Sequence, residues 1–401
     1  MNMYSYVLNI LRLFNKINDK TGNVKNNDVV YNPFLMLILK NKVSLYAKIQ
    51  TMSHSTTKIC IDFNSDMNEA IGEIRGDSIF VLTDDNTQRL CLPVIMQSEK
   101  LKGCHFINIP SGDEHKNIDS AVEIWKYLSE NGATRKSLMI NLGGGMITDI
   151  GGFTASTFKR GIKYINVSTT LLGAVDAATG GKTGINFSGL KNEIGVFSPA
   201  ESVLINIDFF RTLDDKNIRS GYAEMIKHAL IDTKEEWENV LRFDLDEIDF
   251  TKLKSLLEKT IQIKERIVEI DPFEANIRKA LNLGHTFGHA FESWSYKINK
   301  PALHGYAVMW GILCELYLSN FKLNFPKDEL LRFKYLMKEY YGIFEFSCND
   351  YDLLFEIMTH DKKNDSKEIN FTLLADIGDI RINQTATKEE IFECFDFLRE
   401  G

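Results

Sequence analysis

Four residues in the second half of the chain have the clearest capacity for chemistry. His285 and His289 stand four apart in LNLGHTFGHAFE, which sets both imidazoles on one helix face. His304 follows in ALHGYAV, and Glu224 lies upstream in SGYAEMIKHAL. Two histidines with one glutamate suit an open zinc site, which leaves coordination positions for substrate oxygens. A single histidine is usually packed or solvated. Two of the chain's 8 histidines within one Gly-His-x-x-Gly-His turn favour the metal instead. His115, His228 and His360 stay open on this reading, and His54 and His105 read as structural.

The second candidate is the stretch Asn141–Asn192, with glycine turns at Gly143–Gly145 and Gly180–Gly181. Such turns let the backbone approach a ligand closely. Asp149, Arg160, Thr169, Thr170, Asp176, Lys182, Lys191 and Asn192 lie between and beside them, a mix that suits an anionic small molecule. Asn141-Leu-Gly-Gly-Gly is a strand-to-glycine turn but not the G-x-G-x-x-G fingerprint. Gly180-Gly-Lys-Thr183 resembles the end of a phosphate-binding loop, yet Asp176 stands where that loop needs its first glycine. An acid there fits a hydroxyl better, as from a ribose or the nicotinamide side of NAD. Asp149 could equally be a charge at the start of a helix.

More cations flank the histidines. Lys227 is three residues after Glu224, so the two share a helical face. Lys264 lies on a helix with an apolar stripe at Ile261, Ile263 and Val268, and alone would read as a solvated surface lysine. Arg278, Asn282 and His285 are spaced to share one face of a single helix, and an arginine suits bidentate contact with carboxylate or phosphate. Lys362 and Lys363 follow His360-Asp361 in what by itself is a solvated loop. Together these cations point to a small, polyanionic substrate.

The elements that must position these groups change texture along the chain. From Ile59 short apolar runs alternate with helical patterns: strands are predicted at Ser78–Leu82, His105–Ile109, Ser137–Leu142 and Tyr164–Val167, with a helix at Ile118–Glu130. That alternation implies a Rossmann-like parallel sheet with ligands at the carboxyl ends of its strands, where Asp84, Gly112, Gly143 and Thr169 fall. After Thr212 longer helical periods dominate: Ile218–Leu230, Leu253–Val268, Ile277–Tyr296, Gly305–Leu318, Lys327–Tyr341, Tyr351–His360 and a closing Lys388–Phe397, with a short strand at Phe371–Leu374. The expected organisation is an α/β domain over 52–212, a mostly α-helical metal- and substrate-binding domain over 213–401, and an extension over 1–51 that is disordered or non-native.

Bulk properties narrow the function. The 401 residues carry a net charge of −8, which argues against nucleic acid or an anionic membrane as the main partner. The 6 cysteines are scattered without a C-x-x-C pair, as in a reduced, cytoplasmic protein. No apolar run approaches the roughly 18–20 residues of a membrane span.

From about Ile59 to Leu398 the chain resembles the 3-dehydroquinate synthase family of sugar phosphate cyclases. The matching text is GGGMITDIGGFTASTFKRG, STTLLGAVDAATGGKTGIN, GLKNEIG, SGYAEMIKHALI, NIRKALNLGHTFGHAFE, LHGYAV and HDKKN. The resemblance implies a zinc site on Glu224, His285 and His304, with Co2+ as an alternative ion and His289 beside it as a site residue. It implies NAD contacts from Asp84, Asn86, Asp113, Lys116, Gly144, Gly145, Asp149, Thr169, Thr170, Asp176, Lys182, Lys191 and Thr212. It implies substrate contacts from Lys182, Asn192, Lys227, Lys264, Arg278, Asn282, His289 and one of Lys362 or Lys363, with Arg160 reaching a neighbouring subunit of a homodimer. The implied reaction converts 3-deoxy-D-arabino-heptulosonate 7-phosphate to 3-dehydroquinate and phosphate by transient oxidation, β-elimination, reduction and aldol closure.

Three positions depart from the family pattern. Asp113 replaces a glutamate, Tyr306 replaces a glutamate two residues after His304, and Asp271-Pro-Phe-Glu274 replaces an acidic D-E-x-E run. A metal-dependent polyol dehydrogenase would share the glycine turn and metal helix but would not need so many cations. A sister cyclase typically alters the Gly-Gly-Lys or the second histidine of the metal helix, and Gly181, Lys182 and His289 are all present here.

Overall fold

The computed structural model describes residues 56–74, 76–188, 190–359 and 369–400. The expected extension over 1–51, and His360, Lys362 and Lys363, lie outside these described residues.

Six parallel strands form the main sheet: β1 (Thr56–Ile59), β2 (Ile79–Asp84), β3 (His105–Ile109), β4 (Leu138–Gly143), β5 (Lys163–Ser168) and β8 (Ser202–Ile205), in the order β1-β8-β5-β4-β2-β3. Side chains alternate between faces, so Phe80 and Leu82 enter one core while Val81 enters another. Both faces are covered, as parallel sheets require. One core continues into the helical second half, and the other packs under the Phe63–Ile74 helix through Phe63, Met67 and Ile71.

The topology determines where a crevice can open. The chain runs outward from β2 to β3 and then returns to pair β4 on the opposite side of β2. Crossovers on the two sides must therefore diverge between β2 and β4, opening a gap at their carboxyl ends. Those ends are Asp84 and Gly143, and the Gly145–Thr157 helix starts directly after β4.

The sequence reading missed an antiparallel hairpin, β6 (Lys182–Phe187) with β7 (Leu190–Phe197). Its alternation is broken by glycines at 184 and 195, whose backbones meet across the pair, and by a bulge between Ile185 and Phe187. Because Lys182 opens a strand, no helix follows Gly180-Gly181 and the phosphate-loop alternative falls away. Strand β8 and the strand β10 (Asp379–Thr385), which pairs antiparallel with β9 (Asn370–Asp376), were also not anticipated.

The second half is helical, and one expected helix is corrected. Ile277–Tyr296 is not continuous: a 3-10 turn covers Ile277–Asn282 and the α-helix spans His285–Lys297. Gly284 breaks the run at φ 80°, a conformation that costs glycine little. A side chain there would also strike Ile312 and the Val308 carbonyl of the helix His304–Leu323. The break lets the two histidine-bearing helices pack closely. Beyond it, His285, His289 and Glu292 occupy one face, while Phe287 and Phe291 stack into an aromatic core with Phe371 and Phe395. The helix Asp215–Leu230, capped by the Asp214 carboxylate on the Asn217 amide at 2.8 Å, carries Glu224 and Lys227 into the same region.

Candidate metal and anion site

Glu224 lies at the centre of the site and is fully buried. His304 Nε2 lies 3.3 Å and His285 Nε2 3.6 Å from its Oε1. Each imidazole has its other nitrogen engaged: His285 Nδ1 is 3.1 Å from the Leu283 carbonyl, and His304 Nδ1 is 3.3 Å from Glu292 Oε2. With Nδ1 as donor in each ring, both Nε2 atoms converge on Glu224 and are the ones left to coordinate a cation. Glu224 Oε1 receives no hydrogen bond of acceptable geometry among the described residues, while Oε2 meets the Lys227 ammonium. The Glu224 carboxylate and the two imidazole nitrogens bring three ligand atoms within 4.8 Å of one another, as a cation between them requires. The donor set Glu-His-His thus fits a divalent metal such as zinc.

A second group, Asp176, Glu224 and His228, also brings ligand atoms within 4.8 Å of one another. Lys264 already engages Asp176, which makes that arrangement the poorer cation site. His228, left open by sequence reading, is fully buried with both ring nitrogens unpartnered among the described residues. Burial first, then the neighbouring Lys227 charge, push its pKa down to about 3, so it is a neutral imidazole beside Glu224.

Cations surround this centre. Lys227 forms an ion pair with Glu224 Oε2, and both side chains are buried. Lys264 is only 4% exposed rather than solvated, and it donates to both the backbone carbonyl and the carboxylate of Asp176. Asp176 sits in a π-helical turn, Gly173–Ala177, that packs against the helices carrying Lys264 and Glu224. Burial would raise the Asp176 carboxyl, but Lys264 and Lys227 outweigh it and hold it well below the usual carboxylate range. Arg278 is buried, donating from Nη2 to the Gly180 carbonyl at 3.0 Å and from Nη1 to the Pro272 carbonyl at 2.6 Å. Its guanidinium thereby ties the second glycine turn to the helical half.

Glu274, noted in the sequence only as part of a departure, collects two expected substrate residues. Its carboxylate pairs with Lys182 and accepts from Asn282 Nδ2 at 2.6 Å. Its backbone sits at φ 58°, unusual for a residue other than glycine. His289 lies beside the centre, its ring centroid 5.2 Å from that of His285.

The expected cofactor residues assemble largely on the sheet side. Lys116 Nζ donates to Asp149 at 3.0 Å and to Asn192 Oδ1 at 2.6 Å, with Asp113 3.8 Å away. Asn192, expected to face substrate, is therefore held in the same group as the cofactor candidates. Asn186 was missed: its amide nitrogen donates to the Lys116 carbonyl, its side chain donates to Asp113, and its Oδ1 accepts from the Asn192 amide. No motif marks it, because only the bulge in β6 turns it toward this loop.

Other candidates have local roles. Asp84 caps the helix after β2 by accepting from the Thr87 amide at 2.8 Å, and Asn86 is exposed in that helix. Thr169 donates its amide to the Gly143 carbonyl, and Thr170 Oγ1 accepts from the Gly173 amide, fastening the first glycine turn to the π-helical turn. A side chain at Gly144 would strike Thr170, and one at Gly145 would crowd Ala177. Thr212 donates to the Phe209 carbonyl. Arg160 is exposed at φ 67°.

Two charged groups bridge the sides. Lys191, on β7, pairs with Glu292 Oε1 at 2.6 Å and with Asp113 Oδ2 at 3.1 Å. Glu292 also accepts from His304, so one buried carboxylate touches both the hairpin lysine and a histidine of the metal set. Burial lowers His304, but the Glu292 and Glu224 carboxylates outweigh it and push its pKa up to about 10 in the metal-free chain.

Family models described as 3-dehydroquinate synthase N-terminal and C-terminal match residues 106–220 and 221–364. A 3-dehydroquinate synthase of Parabacteroides distasonis is 52% identical over 350 residues, 87% of this chain and 99% of that protein. Among solved structures, 2-deoxy-scyllo-inosose synthase complexed with carbaglucose-6-phosphate, NAD+ and Co2+ superposes with a TM-score of 0.74 at 20% identity, covering 86% of this chain and 96% of that one. A 2-epi-5-epi-valiolone synthase from Streptomyces hygroscopicus with NAD+ and Zn2+ bound gives 0.74 at 22% identity, over 87% and 97%. At these identities the two structures establish a shared fold.

Proposed function

The chain belongs to the 3-dehydroquinate synthase family, and from that premise we propose how its residues divide the work of converting 3-deoxy-D-arabino-heptulosonate 7-phosphate to 3-dehydroquinate and phosphate. The reaction is that of a phosphate-eliminating carbon–oxygen lyase. The observation that carries the assignment is the buried Glu224 carboxylate facing the Nε2 atoms of His285 and His304 among Lys227, Lys264 and Arg278. A dehydrogenase of simple polyols has no use for so many buried cations.

Glu224, His285 and His304 would hold a divalent metal, most simply zinc, with Co2+ as a substitute. Asp84, Asn86, Asp113, Lys116, Gly144, Gly145, Asp149, Thr169, Thr170, Asp176, Lys191 and Thr212 would hold NAD at the gap between β2 and β4. Bound there, the metal supplies acidification of substrate hydroxyls and NAD+ supplies a reversible hydride acceptor. The chain's own residues do the rest. Lys182, Lys227, Lys264 and Arg278 bind the substrate's carboxylate and phosphate and stabilise the charge that develops as phosphate leaves. Asn192, Asn282 and His289 orient the sugar hydroxyls, and the buried position of Lys227 and Lys264 keeps water from competing. One of Lys362 and Lys363 completes the anion shell.

Several of these cations pair with the protein's own acids: Lys182 with Glu274, Lys264 with Asp176, Lys227 with Glu224. An anionic substrate would exchange with these carboxylates, so that each buried cation keeps a partner through the exchange. We assign the cofactor set to an α/β domain over 52–212 and the metal and substrate sets to a helical domain over 213–401. The assembly is a cytoplasmic homodimer in which Arg160 reaches the neighbouring site.

The deciding experiment measures phosphate release from the heptulosonate phosphate with catalytic NAD+, with and without chelator. Turnover that requires both NAD+ and metal, without net NADH, supports the reading. Stoichiometric NADH from glycerol-like substrates would sink it in favour of a dehydrogenase.

A further inference from the structure

We propose that Glu292 is a positioning residue that couples the metal centre to the hairpin lysine Lys191. Glu292 is 2% exposed, on the same face of its helix as His285 and His289. Its two oxygens serve different partners: Oε2 lies 3.3 Å from His304 Nδ1, and Oε1 lies 2.6 Å from Lys191 Nζ. The first contact engages Nδ1, leaves Nε2 as the nitrogen available to a metal beside Glu224, and strengthens that imidazole as a ligand. The second links the same carboxylate to β7, where Lys191 also meets Asp113 at 3.1 Å and lies 5.2 Å from the Tyr296 ring centroid.

One negative charge is thus divided between a metal ligand and a lysine on the sheet side. When an anion draws Lys191 away from Glu292, the carboxylate interacts more fully with His304, and the metal is held more tightly. Binding on the two sides is then cooperative, and by linkage the effect is reciprocal. The identity of that anion rests on the reading above, in which Lys191 contacts NAD. The role of Glu292 toward His304 does not.

The test uses full-length metal-stripped protein titrated with Co2+ against a competing chelator, with the Co2+ absorption spectrum recorded, in the absence and presence of saturating NAD+. Glu292→Gln keeps the shape but loses the charge, and it should weaken Co2+ binding about 10–100-fold and shift the spectrum, with an unchanged circular dichroism spectrum. Lys191→Met should bind Co2+ as tightly as wild type or more tightly without NAD+. In wild type, NAD+ should tighten Co2+ binding at least about 5-fold, and in both variants that tightening should vanish. Wild-type Co2+ affinity in Glu292→Gln overturns the positioning role. A full NAD+ effect surviving in Lys191→Met, or no NAD+ effect in a wild type that binds NAD+, overturns the coupling. If Glu292→Gln does not fold, Lys191→Met alone decides the coupling arm. A wild type that binds no NAD+ while Glu292→Gln still loses Co2+ affinity refutes the cofactor reading and the coupling together, and leaves the positioning of His304 standing.

Discussion

The sheet side and the helix side of this site handle buried charge in opposite ways. Around Lys116 the ionic groups satisfy one another: Asp149, Asn192 and Asp113 surround the ammonium, and Asn186 fastens the loop from behind. Around Glu224 the groups are closer and drier, and beyond the Lys227 ion pair several polar atoms are left without hydrogen bonds among the described residues. Among the described residues Glu224 Oε1 and both nitrogens of His228 lack hydrogen bonds, and the Nε2 atoms of His285 and His304 face Glu224. Mutually satisfied pairs can exchange partners with an incoming ligand at modest cost. Buried acceptors without hydrogen bonds are costly until a cation arrives, so the helix side is the part whose stability should depend on its ligand.

The largest effect should come from breaking the helix side. Glu224→Ala removes one ligand and strands Lys227, so phosphate release should fall by more than about 1,000-fold and bound metal should be lost. Unfolding of the metal-free variant should show a further loss of about 3–5 kcal/mol, typical when one partner of a buried ion pair is removed. Retention of stoichiometric metal in that variant, read by elemental analysis, would refute the ligand assignment.

Next in size is the anion shell. Lys182→Ala should reduce kcat by about 100–1,000-fold while NAD+ affinity changes less than about 3-fold, since an interaction made to developing charge is lost chiefly in the transition state. Collapse of NAD+ binding with intact substrate binding would show that this lysine belongs to the sheet side.

Metal uptake should depend on pH in a direction set by His304. Below about pH 10 the metal-free His304 carries a proton that the metal must displace, so this residue alone should raise metal affinity up to about tenfold per pH unit across the range 6.5 to 9. The sign for stability is the reverse. A folded-state pKa raised to about 10 from 6.5 stabilises the metal-free chain fully below pH 6.5, and that contribution is lost as pH rises through 10. The metal-free protein should therefore melt at a lower temperature at pH 9 than at pH 6.5, and the metal-loaded protein should not follow it. Parallel melting curves would contradict this.

The smallest effect is expected on the sheet side. Asp113→Asn leaves Lys116 with Asp149 and Lys191 with Glu292, so the fold should lose less than about 1 kcal/mol and NAD+ affinity should fall only about 3–10-fold by calorimetry. A loss comparable to that of Glu224→Ala would erase the contrast between the two sides.

Much of this site could be read from sequence because its spacing is local. Glu224 with Lys227, and His285 with His289, lie within one or two helical turns, where periodicity gives direction. Glu292 followed the same periodicity, seven residues after His285, but a lone glutamate in a helix gives no sign that it is buried. Arg278, Asn282 and His285 were assigned to one face of one helix, whereas Gly284 interrupts it and the three reach the site by separate routes. Lys264, an expected substrate contact by resemblance, reads as solvated on its own because its stripe of neighbours does not say what packs above them.

Legible in the residues alone are the kinds of element, the glycine turns at strand ends, and the residue types that make a metal and anion site. These follow from local backbone preference and hydrophobic period, which depend on near neighbours. The partners come from long-range packing: Lys264 on Asp176, Arg278 on the Gly180 carbonyl, Lys182 on Glu274, and Glu292 between His304 and Lys191. Those pairs lie 88 to 101 positions apart for Lys264, Arg278, Lys182 and Lys191. Which buried charge meets which is set by how the helices pack on the sheet and the hairpin, and no local period encodes that.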